Sequence, residues 1–201
     1  MKKGIRCLGF AESYRGQDNP GGQDNPDDGS VLAGTVYCGE GSTEWFGFTE
    51  IEVGGLDSTS RILELYRELG RDDINYVMVS GFALAWYNVV DLREIHRKTG
   101  IPTVSVTYED SSGLEESIET EFSGKNMEKR LRLYSEQPER MEVNLSDGRK
   151  LYARFVGGEF DEITSLMELT TPGGARPEPL RTAKFAARGV LNYREKLQGE
   201  V

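Results

Sequence analysis

Two short runs between residues 74 and 107 constrain the fold more than any other part of the chain: Ile74-Asn75-Tyr76-Val77-Met78-Val79 and Thr103-Val104-Ser105-Val106-Thr107. Both are largely apolar and rich in β-branched residues, so both read as buried strands. Between them Ser80-Gly81 opens a loop carrying Trp86 and Tyr87, and Asn88 is placed to cap a helix over residues 89–98, where Val89, Leu92 and Ile95 share a face. Gly100 ends that helix, and Pro102 leads into the second strand. Strand, helix and strand in so short a stretch form a βαβ unit, which demands a parallel pair covered by the helix. Ligands of open α/β sheets gather at the carboxyl ends of such strands, so residues 80–91 are the first place to look for a site.

The remaining elements are arranged around that unit. Residues 4–11 read as a first strand; 31–38 and 45–53 form a hairpin about Gly39-Glu40-Gly41-Ser42, completing a meander. A helix over 59–69, capped by Asp57 or Ser58, follows the Gly54-Gly55-Leu56 turn. Helices are expected at 113–122 and 126–134, a hairpin at 140–145 and 151–156 about Ser146-Asp147-Gly148, and final helices at 162–170 and 179–196. Periodicity gives a mixed α/β sheet flanked by helices. An antiparallel three-strand meander, a helix and then a parallel βαβ is also the layout of a ribonuclease-H-like domain.

At 201 residues, 37% of them hydrophobic, the chain suits one domain, 1–201. A tandem Gln-Asp-Asn-Pro, residues 17–20 and 23–26, marks a flexible insertion at 15–30. Its Asp18, Asn19, Asp24, Asp27 and Asp28 lack the spacing of an EF-hand calcium loop, so an idle surface segment is the simpler reading. A net charge of -10 excludes an electrostatic grip on nucleic acid over the whole surface but leaves room for a local basic site. Sixteen arginines to eight lysines on an acidic chain suit a salt-rich setting. No run approaches the ~20 apolar residues of a membrane span, and residues 4–10 are too short for a secretory core, so no membrane partner and a cytoplasmic location are expected. Cys7 and Cys38 lack metal-ligand spacing and read as buried thiols. The oligomeric state is left open, with a homodimer one arrangement.

Four segments, in order, resemble the archaeal endonuclease V-like proteins, also called endonuclease dU: Ile5-Arg6-Cys7-Leu8-Gly9-Phe10, Gly55-Leu56-Asp57, Tyr87-Asn88-Val89-Val90-Asp91, and Arg176-Pro177-Glu178-Pro179-Leu180-Arg181. The resemblance implies a ribonuclease-H-like fold and metal-dependent cleavage of DNA at deaminated bases such as deoxyuridine, a DNA-repair activity using Mg²⁺ or Mn²⁺. That chemistry needs clustered carboxylates to hold hard cations. Where the family's first strand ends in a pair of Asp, this chain has Ala11-Glu12; an Asp before the Gly-Leu-Asp turn is replaced by Gly54, and one before Gly in the fourth strand by Ser80.

Glu12 and Asp57 are the expected metal ligands, and Glu12, Asp57 and Asp91 the expected catalytic set. Glu12 needs a bulge or irregular strand end to reach the place Ala11 occupies. Asp57 and Asp91 serve equally as helix caps. Trp86, Tyr87 and Asn88 suit an extruded base, Trp86 also suiting the core. Arg176 and Arg181 suit phosphate, or pairing with Glu178. Glu50 and Glu52 read as a solvated strand face, and His96 as an exposed helix residue. Two functions follow: a DNA endonuclease, or a catalytically inactive protein binding nucleic acid or a nucleotide.

Overall fold

The computed structural model describes residues 4–15, 29–111 and 113–199. The Gln-Asp-Asn-Pro duplication, with its acidic residues, lies outside them. Nine strands and six helices follow in the order β1 (Arg6–Tyr14), β2 (Ser30–Cys38), β3 (Ser42–Thr49), α1 (Ser58–Leu69), β4 (Tyr76–Ser80), β5 (Ala83–Leu84), β6 (Asn88–Val89), α2 (Leu92–Thr99), β7 (Thr103–Thr107), α3 (Glu115–Glu121), α4 (Gly124–Ser135), β8 (Met141–Asn144), β9 (Lys150–Val156), α5 (Phe160–Thr170) and α6 (Glu178–Gly199) among the described residues.

Seven strands form one sheet in the order β3-β2-β1-β4-β7-β9-β8. β1, β2 and β3 are antiparallel neighbours, while β1 with β4 and β4 with β7 are parallel. The meander and βαβ unit therefore assemble as the alternation pattern predicts, in an α/β ribonuclease-H-like mixed sheet. The hairpin β8–β9 extends the same sheet, because β9 pairs antiparallel with β7.

Side-chain alternation divides the core. Leu8 and Phe10 of β1 and Val77 and Val79 of β4 pack with Ile62 and Leu65 of α1 and with Leu92 and Ile95 of α2. On the other face, Cys7, Met78, Val104 and Val106 pack with Ile163, Leu166 and Met167 of α5 and Leu180 of α6. Further along that face, Ala11, Val31 and Ala33 meet Ala183, Ala187 and Leu191 of α6. Small residues let α6 approach closely: a Cβ added at Gly9 would stand 2.8 Å from the Pro179 backbone. Both cysteines are buried free thiols.

Two expectations change. β1 runs on to Tyr14 rather than ending at Ala11, held throughout by β2. α2 begins at Leu92 instead of residue 89, and its cap is Asp91, whose side chain accepts from the Glu94 amide at 3.0 Å. Asn88 cannot cap α2 because it sits in the two-stranded β5–β6 ribbon, with its side chain committed to α1. No described helix is long and apolar enough to cross a membrane.

Candidate functional site

β4 ends at Ser80, opposite the turn into the β5–β6 ribbon, whereas β1 continues beyond the register pair Phe10 and Val79 to Tyr14. This overhang places Glu12 at the carboxyl end of the parallel strands. Glu12 keeps regular register with Leu32, so no bulge turns it toward the position of Ala11. Its carboxylate is instead met by Lys184 of α6, at 3.9 Å, and the same ammonium donates to the Glu12 carbonyl at 2.6 Å. Tyr108, just past β7, brings a buried hydroxyl without a well-aligned hydrogen-bond partner, and the Arg176 guanidinium lies 4.8 Å from the centre of its ring. Burial raises the Tyr108 pKa most; Ser80 and Arg176 draw it back down, and the Glu12 charge pushes it up. Glu12, Ser80, Tyr108, Arg176 and Lys184 thus meet at three strand ends and the start of α6, with two cations and one carboxylate among them.

The three positions where the resemblance calls for acids are closed to metal ligation. Ala11 is fully buried among Ala183 and Ala187. Gly54 has a left-handed φ of 67°, and its carbonyl accepts from Arg130. Ser80 presents a hydroxyl beside Tyr108. Hard divalent cations need several anionic oxygens, and among the described residues no three His, Cys, Asp or Glu side chains cluster to supply them. The donor set at these strand ends does not fit the metal pair that the fold implies.

Asp57 and Asn88 form a second constellation on the α1–α2 face. Asp57 precedes α1 but makes no side-chain cap; its carboxylate accepts from the Glu52 amide at 3.1 Å, the Asn88 amide at 2.7 Å and Arg61 at 3.4 Å. Asn88 is fully buried, donates also to the Glu52 carbonyl at 2.8 Å, and accepts the first amide of α1, from Ser58, at 3.0 Å. Its polar edge is therefore spent on the fold, joining the Gly54 turn to the β5–β6 ribbon. Asp57 and Asn88 are brought together, while Glu12 and Asp91 are not part of their hydrogen-bonded group. His96 bonds the Ile101 carbonyl at 2.9 Å near the amino end of β7, away from the strand-end cluster. Glu50 and Glu52 are exposed.

Trp86 and Tyr87 occupy an unusual turn. Ala85, Trp86 and Tyr87 have φ of 30°, 60° and 55°, three consecutive left-handed residues that are not glycine. Such conformations cost about 1–3 kcal/mol each unless their surroundings hold them. Arg130 of α4 does so: only 2% exposed, it donates to the carbonyls of Tyr87 at 3.1 Å, Gly55 at 2.9 Å and Gly54, and stacks 3.8 Å over Phe122. No carboxylate among the described residues bonds it, and burial lowers its pKa against the opposing charge of Glu52. The two aromatic rings pack edge to face with centroids 5.7 Å apart, partly buried. Arg181 forms a two-point ion pair with Glu178 at 2.9 and 2.6 Å, which raises its pKa.

Tyr108, Arg130 and Lys184 were not among the residues singled out by sequence. Tyr108 had a signal, since it directly follows a parallel strand. Arg130 lies in helical phase with the packed Met127 and Tyr134, marking it as a cation on a buried stripe. Lys184 had none.

A family model described as endonuclease dU matches residues 3–191. The UPF0215 protein of Pyrobaculum calidifontis is 30% identical over 187 residues, covering 92% of this chain and 97% of that protein. A crystal structure of a protein of unknown function from Archaeoglobus fulgidus superposes with a TM-score of 0.77 at 26% identity, over 92% of this chain and 98% of that one. Endonuclease V of Ciona intestinalis, in complex with a 24mer DNA containing an inosine followed by a ribo-adenosine, shares the fold with a TM-score of 0.60 at 14% identity, over 95% and 87%. The chain belongs to the endonuclease dU family.

Proposed function

We propose that this protein is a nucleic-acid-binding member of its family that holds the phosphate backbone without hydrolysing it by a two-metal route. One observation carries the reading: the strand ends gather Lys184 and Arg176 about the Glu12 carboxylate, which Lys184 already engages, and among the described residues no three acids cluster to hold a metal. Cations and a hydroxyl complement phosphate oxygens, and binding of that kind weakens with salt through counterion release. DNA is the preferred partner because the structural relative above binds it. The exposed Arg176 faces the backbone, and Tyr108 closes the site from within.

The alternative, a repair endonuclease cutting at deoxyuridine with Mg²⁺ or Mn²⁺, would draw on Glu12 and Asp57. Asp57 would have to abandon the Glu52 amide, Asn88 and Arg61, which join α1 to the β5–β6 ribbon. The deciding experiment measures binding of uracil-containing duplex DNA in a chelator and cleavage in either metal. The expected result is salt-dependent binding without metal, weakened in Arg176→Ala, and intact DNA. Metal-dependent cleavage abolished by Glu12→Gln would establish the endonuclease instead.

A further inference from the structure

We infer that the sheet face beneath α4 binds a monoatomic anion, of the chloride class, between Arg154 of β9 and Thr107 of β7. Residues opposite each other in a ladder share a face: Arg154 stands opposite Ser105 and Thr107 opposite Tyr152, so Ser105, Thr107 and Arg154 project from one side of two adjacent strands. Arg154 Nε and Thr107 Oγ1 are buried atoms without a hydrogen-bond partner, and Ser105 is buried as well. In the sheet β7 lies between β9 and β4, and the Arg154 guanidinium reaches to 4.9 Å from the centre of the Phe82 ring, just past the end of β4. The arginine side chain therefore lies across β7, on the face that carries the Ser105 and Thr107 hydroxyls.

Charge selects the occupant. The Arg154 guanidinium donates to the Pro138 carbonyl and, at 3.3 Å, to the Tyr134 hydroxyl, with its centre 5.2 Å from the Tyr134 ring. Phe82 and Tyr134 are both buried. None of these neighbours is a carboxylate, and among the described residues Arg154 forms no ion pair. Glu115 approaches the Tyr134 hydroxyl at Gly113, yet it is exposed. Withdrawing a cation from water is costly unless an opposite charge accompanies it. A water molecule at Nε would satisfy the hydrogen bond and leave the charge unmatched. Enclosure sets the size: both orphaned atoms are shut off from solvent, so a single-atom ion fits where a phosphate group does not. Its way in is beside Gly81, where an added Cβ meets nothing within 4 Å and whose amide donates to the Val106 carbonyl, next to Thr107, at 2.8 Å. Tyr108 alternates to the opposite face and packs with Val104 and Val106, so the anion site is separate from the strand-end cluster.

The test compares melting of the full chain in sodium chloride with melting in sodium gluconate at equal ionic strength, gluconate being too large for the site. Chloride should raise the melting temperature saturably, by about 5–10 °C once it stands about 100-fold above its Kd. Thr107→Val keeps the shape and removes the hydroxyl; in gluconate it should melt no lower than the parent, and in chloride it should lose most of the increment. In crystals soaked in sodium bromide, an anomalous peak is expected within hydrogen-bond reach of Arg154 Nε and Thr107 Oγ1. Equal melting in the two salts overturns the proposal, as does an increment that Thr107→Val largely keeps. A water at that position in the bromide crystals, without anomalous signal, overturns it too.

Discussion

Replacing Arg130 by leucine removes a guanidinium that ties three segments together. Its carbonyl partners on Gly54, Gly55 and Tyr87 belong to the turn before α1 and the turn of the β5–β6 ribbon; the fourth, Asn126, at 3.1 Å, is in its own helix. A buried acceptor left without a donor costs about 1–3 kcal/mol, and three such acceptors are exposed to that loss. Part is recovered because the cation no longer has to be desolvated, the same effect that lowers its pKa. The net expectation is about 3–5 kcal/mol, the range for breaking a buried charged interaction. At about 2–4 °C per kcal/mol for a chain of this size, the melting temperature should fall by roughly 6–20 °C. Arg130→Lys, which keeps the charge but not the planar fork, should cost about 1–3 kcal/mol. Urea unfolding followed by tryptophan fluorescence suits the measurement, because Trp86 lies in the turn being held. A leucine variant within about 1 kcal/mol of the parent would show that the carbonyls had found other donors and that Arg130 does not hold the turn.

Other substitutions test neighbouring contacts. Asn88→Ala loses bonds to Glu52, Asp57 and Ser58 and should destabilise by about 2–4 kcal/mol in the same assay. Gly9→Ala drives a methyl into Pro179 and should cost about 1–3 kcal/mol by prising α6 from β1; an unchanged urea midpoint would show that the helix yields freely. The Tyr108 hydroxyl has its pKa raised above 10.0 chiefly by burial, so the native state holds that proton longer than the unfolded state. Its stabilising contribution is complete below the unfolded value and fades as pH rises through it toward the native one. Tyr108→Phe should flatten part of the alkaline decline in stability; Tyr37, Tyr76 and the buried Cys7 thiol, shifted the same way, keep the rest.

The sheet was legible because alternation and turn chemistry are local. β2, α1 and β7 fall almost where period and caps put them, and even the shift of α2 is a choice between two capping residues, Asn88 and Asp91, three positions apart. What escaped depends on groups distant in sequence. Asn88 looks like a cap for the helix after it, yet it caps α1, thirty residues earlier. Arg130 binds carbonyls more than forty residues away, and a carbonyl has no side-chain signature. That Ala11, Gly54 and Ser80 carry no carboxylate could be read directly from sequence. The arrival of Lys184 at Glu12 could not, since it depends on how α6 crosses β1.

The strand ends of this protein hold Lys184 and Arg176 about the Glu12 carboxylate, without a cluster of acids among the described residues to bind a hard cation. The decisive measurement is a titration of Mn²⁺ into the protein, with bound ions counted by electron paramagnetic resonance. The expected result is only weak binding, unchanged in Glu12→Gln. A stoichiometric, tightly held Mn²⁺ that disappears in Glu12→Gln would contradict it and return the site to the metal-dependent nucleases.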